Sequence, residues 1–334
     1  MTEKKIEICL AGFGNFGKKI YSYLETMREF RVKYLYHPDP DKSATYGPLG
    51  TSDINSVLSD PNLDAFIIAT PHDRHASLLE RLLIVRKHHV FVEKPMTAVY
   101  EEAWALEQLL PTYSKVFMIG HNQRREAVFR KVKELLDKKT IGSVVDVSFN
   151  FSHGGVYDID PGNWRCDQKR TREGPLITLG SHAIDTIHYL FGGVRSVCAS
   201  IRNVSGRTTA PDCSTVFMEL NNDNAVVSLQ VNYNVPSEKR CVISGTDGVI
   251  YIDRDRIFLR LGRDANKVPT LKEKLPIVAV DTIREELQEF SDAILKGAKV
   301  ETGFPEGMAV MKVLEACYKS SLENKPNKPI RLSL

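Results

Sequence analysis

Apolar residues along this 334-residue chain change their spacing near residue 122, and the change divides the chain in two. Up to that point, short apolar runs at 6–10, 32–36, 64–69, 90–92 and 116–119 alternate with stretches of helical spacing. In 18–27, for example, Ile20, Tyr23, Leu24 and Met27 recur three and four residues apart. A short continuous apolar run bounded by turn residues suits a strand buried on both faces, whereas the three-four spacing suits a helix with one face on a core. Helices are expected over 18–27, 75–88 and 97–110. Strands and helices alternating in this way predict right-handed βαβ crossovers and a doubly wound, mostly parallel sheet.

Beyond 122 the texture differs. A helix is expected over 127–137, a strand over 144–151, a polar loop over 152–173, and a helix over 179–191 ended by Gly192 and Gly193. Between 194 and 261 apolar and polar residues alternate, as in the run from Val226 to Val231. Period-two alternation predicts half-exposed strands in an antiparallel or mixed sheet. Helices over 283–296 and 305–324 end the chain. The expected fold is α/β: a doubly wound domain over 1–122, then an α+β domain over 123–334 built on one large open sheet. An open sheet face offers a surface to a second copy, so a homodimer or homotetramer is expected.

Composition narrows the function. Hydrophobic residues at 42% and charged residues at 26% exclude a disordered or fibrous chain. A formal charge of +3 argues against a nucleic-acid or membrane-surface partner. The six cysteines form no C-x-x-C pair, so neither a zinc site nor a disulfide framework is expected, and no metal. The N-terminus carries no long apolar leader, and no run reaches the roughly 18 apolar residues of a membrane span. A cytoplasmic, reduced protein acting on a small molecule is the expectation.

The chemistry begins at the loop Gly12, Phe13, Gly14, Asn15, Phe16, Gly17, a G-x-G-x-x-G set between a predicted strand and a predicted helix. In a dinucleotide-binding Rossmann domain the first glycine makes the turn, the second admits a pyrophosphate to the backbone, and the third brings helix and sheet together. The helix N-terminus then offers N–H groups and positive dipole to the phosphates. An NAD site usually has an acid about 20 residues on, at the end of the second strand, for the ribose hydroxyls. Here His37 stands there, with Asp39 and Asp41 beyond, and the choice between NAD and NADP is open.

A second constellation follows. Glu93, Lys94 and Pro95 close the predicted strand 90–92, at the edge where open α/β sheets bind ligands. His121 and Asn122 close the next strand, Asn163, Trp164 and Arg165 lie in the long loop, and Gly180, Ser181, His182 and Asp185 open a helix. In this order and spacing the segments resemble the glucose-fructose oxidoreductase, inositol dehydrogenase and rhizopine-catabolism protein family, Gfo/Idh/MocA. The resemblance implies a Rossmann domain holding NAD or NADP, a C-terminal domain whose sheet mediates oligomers, and hydride transfer at a secondary alcohol of a sugar, polyol or related compound. It carries catalytic roles to Lys94 and His182. It implies substrate contacts at Trp164, Arg165, Thr178 and Asp185, and cofactor contacts at Ala69, Thr70, Pro71, His75, Glu93, Lys94 and Asn122. Many family dehydrogenases have an aspartate four residues before the histidine, where this chain has Thr178. On an α-helix, positions 178, 182 and 185 share one face, but a threonine carries no negative charge. Two alternatives stand beside the dehydrogenase: an NAD-dependent glycosidase working by oxidation and elimination, and a catalytically inactive dinucleotide-binding regulator.

Overall fold

A computed structural model describes residues 4–221, 225–262, 273–323 and 330–332. The chain forms two compact units: Met1–His121 with Asp281–Met308, and Asn122–Val280 with Ala309–Leu334.

The first unit is built on strands β1 (Ile6–Ala11), β2 (Phe30–Tyr36), β3 (Gly50–Thr51), β4 (Ala65–Ile68), β5 (His89–Glu93) and β6 (Phe117–Gly120). They run parallel in the order β3-β2-β1-β4-β5-β6. The order reverses between β1 and β4, so the loops leaving their C-terminal ends diverge and open a crevice. All four residues of β4 are buried, as expected of a strand covered on both faces. The main crossover helices are α1 (Asn15–Thr26), α4 (His75–Val85) and α5 (Tyr100–Glu107); α2 (Pro40–Ala44) and α3 (Ile54–Ser59) are shorter.

The core of this unit joins Leu10, Ile67 and Phe91 of the sheet to Ile20 and Leu24 of α1. It also takes Ile283, Leu287 and Phe290 from the helix Thr282–Lys296, and the Phe290 ring meets Phe91 edge-on at 5.7 Å. Each such side chain contributes about 1.5–3 kcal/mol on full burial. The observed division therefore differs from 1–122 and 123–334, because a helix late in the sequence packs on the first sheet. Its apolar stripe is legible in the sequence, but the sheet that stripe covers is not. The terminal helix Phe304–Glu323 also starts in this unit, where Gly307 lies so close to β6 that a Cβ would meet Ile119 at 2.1 Å. Asn324, the expected end of that helix, lies outside the described residues.

The second unit carries β7 (Val144–Ser152), β8 (Val194–Arg202), β9 (Cys213–Leu220), β10 (Val226–Asn232), β11 (Glu238–Gly245), β12 (Gly248–Asp253), β13 (Arg256–Leu261), β14 (Glu273–Leu275) and β15 (Ile330–Arg331). Among the described residues they form one mixed nine-stranded sheet, β14-β13-β12-β11-β7-β10-β9-β8-β15, in which β7 and β10 pair in parallel and the other neighbours antiparallel. Val216, Met218, Val227, Leu229, Ile243 and Ile250 are buried on one face. Strand register sets Phe217, Ser228, Ser148, Val242, Tyr251 and Phe258 side by side on the other.

Helix α6 (Ala127–Asp137) has its predicted bounds. Helix α7 (Ser181–Phe191) ends at Gly192, where φ is +85°. It is preceded by a π-helical turn, Leu176–Gly180, which corrects the expected geometry. A π turn holds more residues than an α turn, so the 3.6-residue phase linking 178 to 182 and 185 does not run through it. Thr178 and Asp185 are buried and His182 is half-buried.

Candidate active site

The glycine loop leaves β1 with Gly12 at φ +96°, a conformation that side chains other than hydrogen rarely adopt. A Cβ at Gly12 would also come within 2.7 Å of the Ala69 carbonyl at the end of β4. At Gly17 a Cβ would lie 2.1 Å from the Gly12 oxygen, so the third glycine sets the approach of α1. Gly14 differs: its Cβ would meet nothing within 4 Å. Gly14, Asn15 and Phe16 are exposed, and α1 begins with no side-chain cap. Its first N–H groups thus lack a side-chain partner and face an open cradle, which is what a pyrophosphate requires.

Two buried polar atoms sit at the edge of the same sheet. Thr70 Oγ1, just past β4, and Glu93 Oε1, the last residue of β5, have no hydrogen-bond partner among the described residues. Buried polar atoms in native folds are normally satisfied, so two at a ligand-binding edge fit a dinucleotide. Burial pushes the Glu93 carboxyl above its ordinary value, against the pull of the neighbouring Lys94 ammonium. The Lys94–Pro95 peptide is cis. His75 sets its ring nitrogens 2.9 Å from the Pro95 oxygen and 3.0 Å from the Thr70 oxygen. It thereby ties the turn after β5 to the turn after β4, with Pro71 between Thr70 and the helix. Burial holds this histidine below its ordinary range.

At the end of β2, the Asp39 N–H donates to His37 Nδ1 at 3.0 Å, which leaves the proton of the neutral ring on Nε2. The ring lies edge-on to Tyr46, itself edge-on to Phe13 of the glycine loop. Asp39 is the N-cap of α2, accepting from Asp41 N and Lys42 N. The nearest acid beyond the end of β2 therefore caps a helix, and His37 offers an N–H at the strand's end.

In the second unit the π turn carries Thr178, whose Oγ1 donates to the Gly174 carbonyl (3.2 Å) and is bonded to the Tyr233 hydroxyl. The His153 ring stacks on Tyr233 at 4.6 Å. One turn on, His182 lies in the first turn of α7. Asp185 forms a buried two-point ion pair with Arg124, Nε to Oδ2 at 2.9 Å and a second nitrogen to Oδ1 at 2.5 Å. Asp185 thus anchors α7 to the short turn Asn122–Arg125, whose first residue, Asn122, is half-buried. Arg165 lies 4.3 Å over the Trp164 ring. Of the basic cluster in this loop, Arg172 is engaged by Glu173 and Glu315.

The fold brings the glycine loop, Ala69, Thr70, Glu93 and Lys94 to one edge in the first unit. In the second it sets Thr178, His182 and Asp185 on consecutive turns. Sequence reasoning assigned no role to Tyr233, His153 or Arg124, although His153 lies in the polar loop 152–173 and Arg124 just past Asn122. Among the described residues no group of histidine, cysteine, aspartate or glutamate could hold a metal ion.

Residues 6–121 match the model of an oxidoreductase family with an NAD-binding Rossmann fold, and residues 129–251 match the GFO/IDH/MocA C-terminal domain. The scyllo-inositol 2-dehydrogenase (NADP(+)) IolW of Bacillus subtilis is 24% identical over 96% of this chain and 95% of its own. The inositol 2-dehydrogenase of Rhizobium meliloti is 23% identical over 81% of this chain and 82% of its own. Among solved structures, a levoglucosan dehydrogenase in complex with NADH superposes with a TM-score of 0.85 at 21% identity, covering 99% of this chain and 100% of that one. The aldose-aldose oxidoreductase of Caulobacter crescentus, complexed with glycerol, does so with a TM-score of 0.84 at 21% identity, over 98% and 100%. At these identities the structural likeness is one of fold.

Proposed function

The chain belongs to the GFO/IDH/MocA family of NAD-binding oxidoreductases, and from that premise we propose that it oxidises or reduces a secondary alcohol position of a sugar, polyol or related compound with NAD or NADP. The observation that carries this reading is the open cradle at Gly14 together with the two orphaned polar atoms, Thr70 Oγ1 and Glu93 Oε1, at the sheet edge beside Lys94. The names of the inositol and levoglucosan dehydrogenases support a carbohydrate-like substrate.

In this reading the backbone of Gly12, Gly14, Asn15 and Phe16 holds the pyrophosphate, His37 meets the adenosine ribose, and Thr70, Pro71, Glu93 and Asn122 line the remaining length. A nicotinamide held there would supply the hydride acceptor or donor. His182, or Lys94, takes the proton of the substrate hydroxyl during oxidation. The buried Glu93 carboxyl beside Lys94 makes the local charge depend on both groups. Thr178 shares a hydrogen bond with the Tyr233 hydroxyl and adds no charge, so the proton passes to His182 or Lys94 without an acid at position 178. Asp185, engaged by Arg124, fixes the orientation of α7.

Positioned acid–base groups supply about 10²- to 10⁴-fold in rate. Lys94→Ala should reduce turnover of inositols or levoglucosan by about that factor while dinucleotide binding persists in calorimetry. Turnover equal to the parent would remove Lys94 from the mechanism. Dinucleotide binding without turnover of any polyol or sugar would favour the inactive regulator, and sugar release without net cofactor reduction the elimination cycle.

We further propose a homodimer or homotetramer built on the outer face of the nine-stranded sheet. A cytoplasmic setting fits the six free cysteines. Among the described residues no helix is long and apolar enough to cross a membrane.

A further inference from the structure

The loops of the second unit hold donors for which the described residues supply no acceptor. Thr209 N and Ala210 N donate to the Cys166 carbonyl at 3.1 and 3.0 Å, tying the segment 203–212 to the turn that carries Trp164 and Arg165. Tyr233 N donates to the Asp212 carbonyl and His153 N to the Asn232 carbonyl, at 2.8 and 3.0 Å. Arg165, His153 and Tyr233 therefore belong to one backbone-bonded cluster, which Thr178 joins through the Tyr233 hydroxyl.

Five carboxylates of this unit are engaged. Asp212 accepts from Val204 N, Ser205 N and Ser205 Oγ; Asp185 pairs with Arg124, and Glu173 with Arg172. Asp160 and Asp167 accept from Gly162 N and Lys169 N, each at 2.9 Å. Thr178 and Tyr233 share a hydrogen bond between their hydroxyls, and neither hydroxyl supplies charge. The Arg165 guanidinium lies on Trp164 and has no ion pair or side-chain hydrogen bond among the described residues. Arg207, resting 5.5 Å over Tyr157, likewise has no carboxylate partner among them.

His153 Nδ1 accepts from Gly155 N at 2.9 Å, which puts the proton of the neutral ring on Nε2. Burial, then the nearby Arg165 charge, hold this histidine below its ordinary range. It is thus a neutral donor beside a cation. A guanidinium held over the face of an aromatic ring retains N–H donors for a planar or tetrahedral anion, which it can bind by two charge-assisted bonds.

We propose that this cluster binds an anionic group of the substrate, a carboxylate or a phosphate ester, with Arg165 as charge partner and His153 Nε2 as a second donor. The inference rests on the oxidoreductase reading for the rest of the substrate, but anion binding is measurable apart from turnover. The chain has two tryptophans, Trp104 and Trp164, and Trp104 is exposed on α5. In the full-length Trp104→Phe variant, Trp164 beneath Arg165 is the only tryptophan emitter.

This variant is titrated with D-gluconate and D-glucose 6-phosphate, and with neutral D-glucose and myo-inositol as controls. At least one anion should change the Trp164 emission saturably, at about tenfold or more lower concentration than the neutral compounds. The response should weaken as salt rises from about 50 to about 500 mM. Gluconate alone would identify the group as a carboxylate, and the 6-phosphate alone as a phosphate ester. Arg165→Gln in the same background should abolish the preference, and Arg165→Lys should keep part of it. Silence to both anions, equal response to neutral and anionic compounds, or a preference unchanged in Arg165→Gln would overturn the proposal. Anion binding without turnover of any compound tested would instead sink the oxidoreductase reading and leave this one standing. Turnover of neutral polyols with no anion response would do the reverse.

Discussion

At the scale of single residues, cofactor choice turns on what stands at the end of β2. A carboxylate there accepts from the ribose hydroxyls of NAD and repels the 2′-phosphate of NADP. His37 presents an N–H instead, and Asp39 accepts from the first turn of α2, so neither effect operates at full strength. His37→Asp should therefore raise the affinity for NAD and lower that for NADP. The ratio of the two dissociation constants, measured by calorimetry without substrate, is expected to move by about tenfold or more, equivalent to about 1.4 kcal/mol. A ratio that stays put would mean that the ribose lies elsewhere. This departure was legible in the sequence, because a missing acid at a fixed offset from a glycine loop is a local feature. The capping role of Asp39 was also within reach, since Pro40 follows it at the first helical position.

Elements were legible where their pattern was local. The buried strands β4 and β5, the amphipathic α6 and the Gly192 stop of α7 all follow from runs of neighbouring residues. The π turn before α7 was not: Leu176–Gly180 reads as ordinary helix, and only the packed structure shows Thr178 turned onto Tyr233, 55 residues away. The same holds for the anchor of the long loop. Arg172 bonds Glu173 and Glu315 and lies 4.2 Å over Tyr318, fixing the loop to the terminal helix just before the π turn. Burial pushes Glu173 from 4.5 up to about 7, despite Arg172. Between about pH 4.5 and 7 the folded state therefore keeps a proton that the unfolded state has lost, and this group makes stability fall as pH rises through that window. Its slope reaches about 1.4 kcal/mol per pH unit. Buried neutral histidines such as His75 and His188 oppose it below about pH 6.5, so the parent's net slope mixes both signs. Comparison with Glu173→Gln isolates the glutamate, because Arg172 keeps Glu315. Urea midpoints of the variant should gain on those of the parent steadily from pH 5 to about pH 7, then run parallel. Parallel curves throughout would mean that Glu173 ionises normally.

For the whole molecule, the question is what covers the outer face of the nine-stranded sheet. Strand register there lines up Phe217, Val242, Tyr251 and Phe258 with only Ser228 and Ser148 between. Phe217 is 59% exposed, while its neighbours Val216 and Met218 are buried on the other face. Alternation alone predicts polar residues on a solvated face, so a transverse aromatic and aliphatic row is a departure that a partner would account for. The row could not be read from the sequence, because its members come from six strands whose pairing is not in sequence order. A second copy of the chain meeting this face across a two-fold axis would bring each row against its own equivalent. A stable interface of this kind buries on the order of 1,600 Å², which a broad sheet can supply. The parent should then sediment as a dimer or tetramer at micromolar concentration. Phe217→Lys, which sets a charge in the middle of the row, should shift it toward monomer while leaving the circular dichroism spectrum unchanged, since the side chain is exposed in the single chain. A monomeric parent, or a variant that assembles as the parent does, would move the interface off this face.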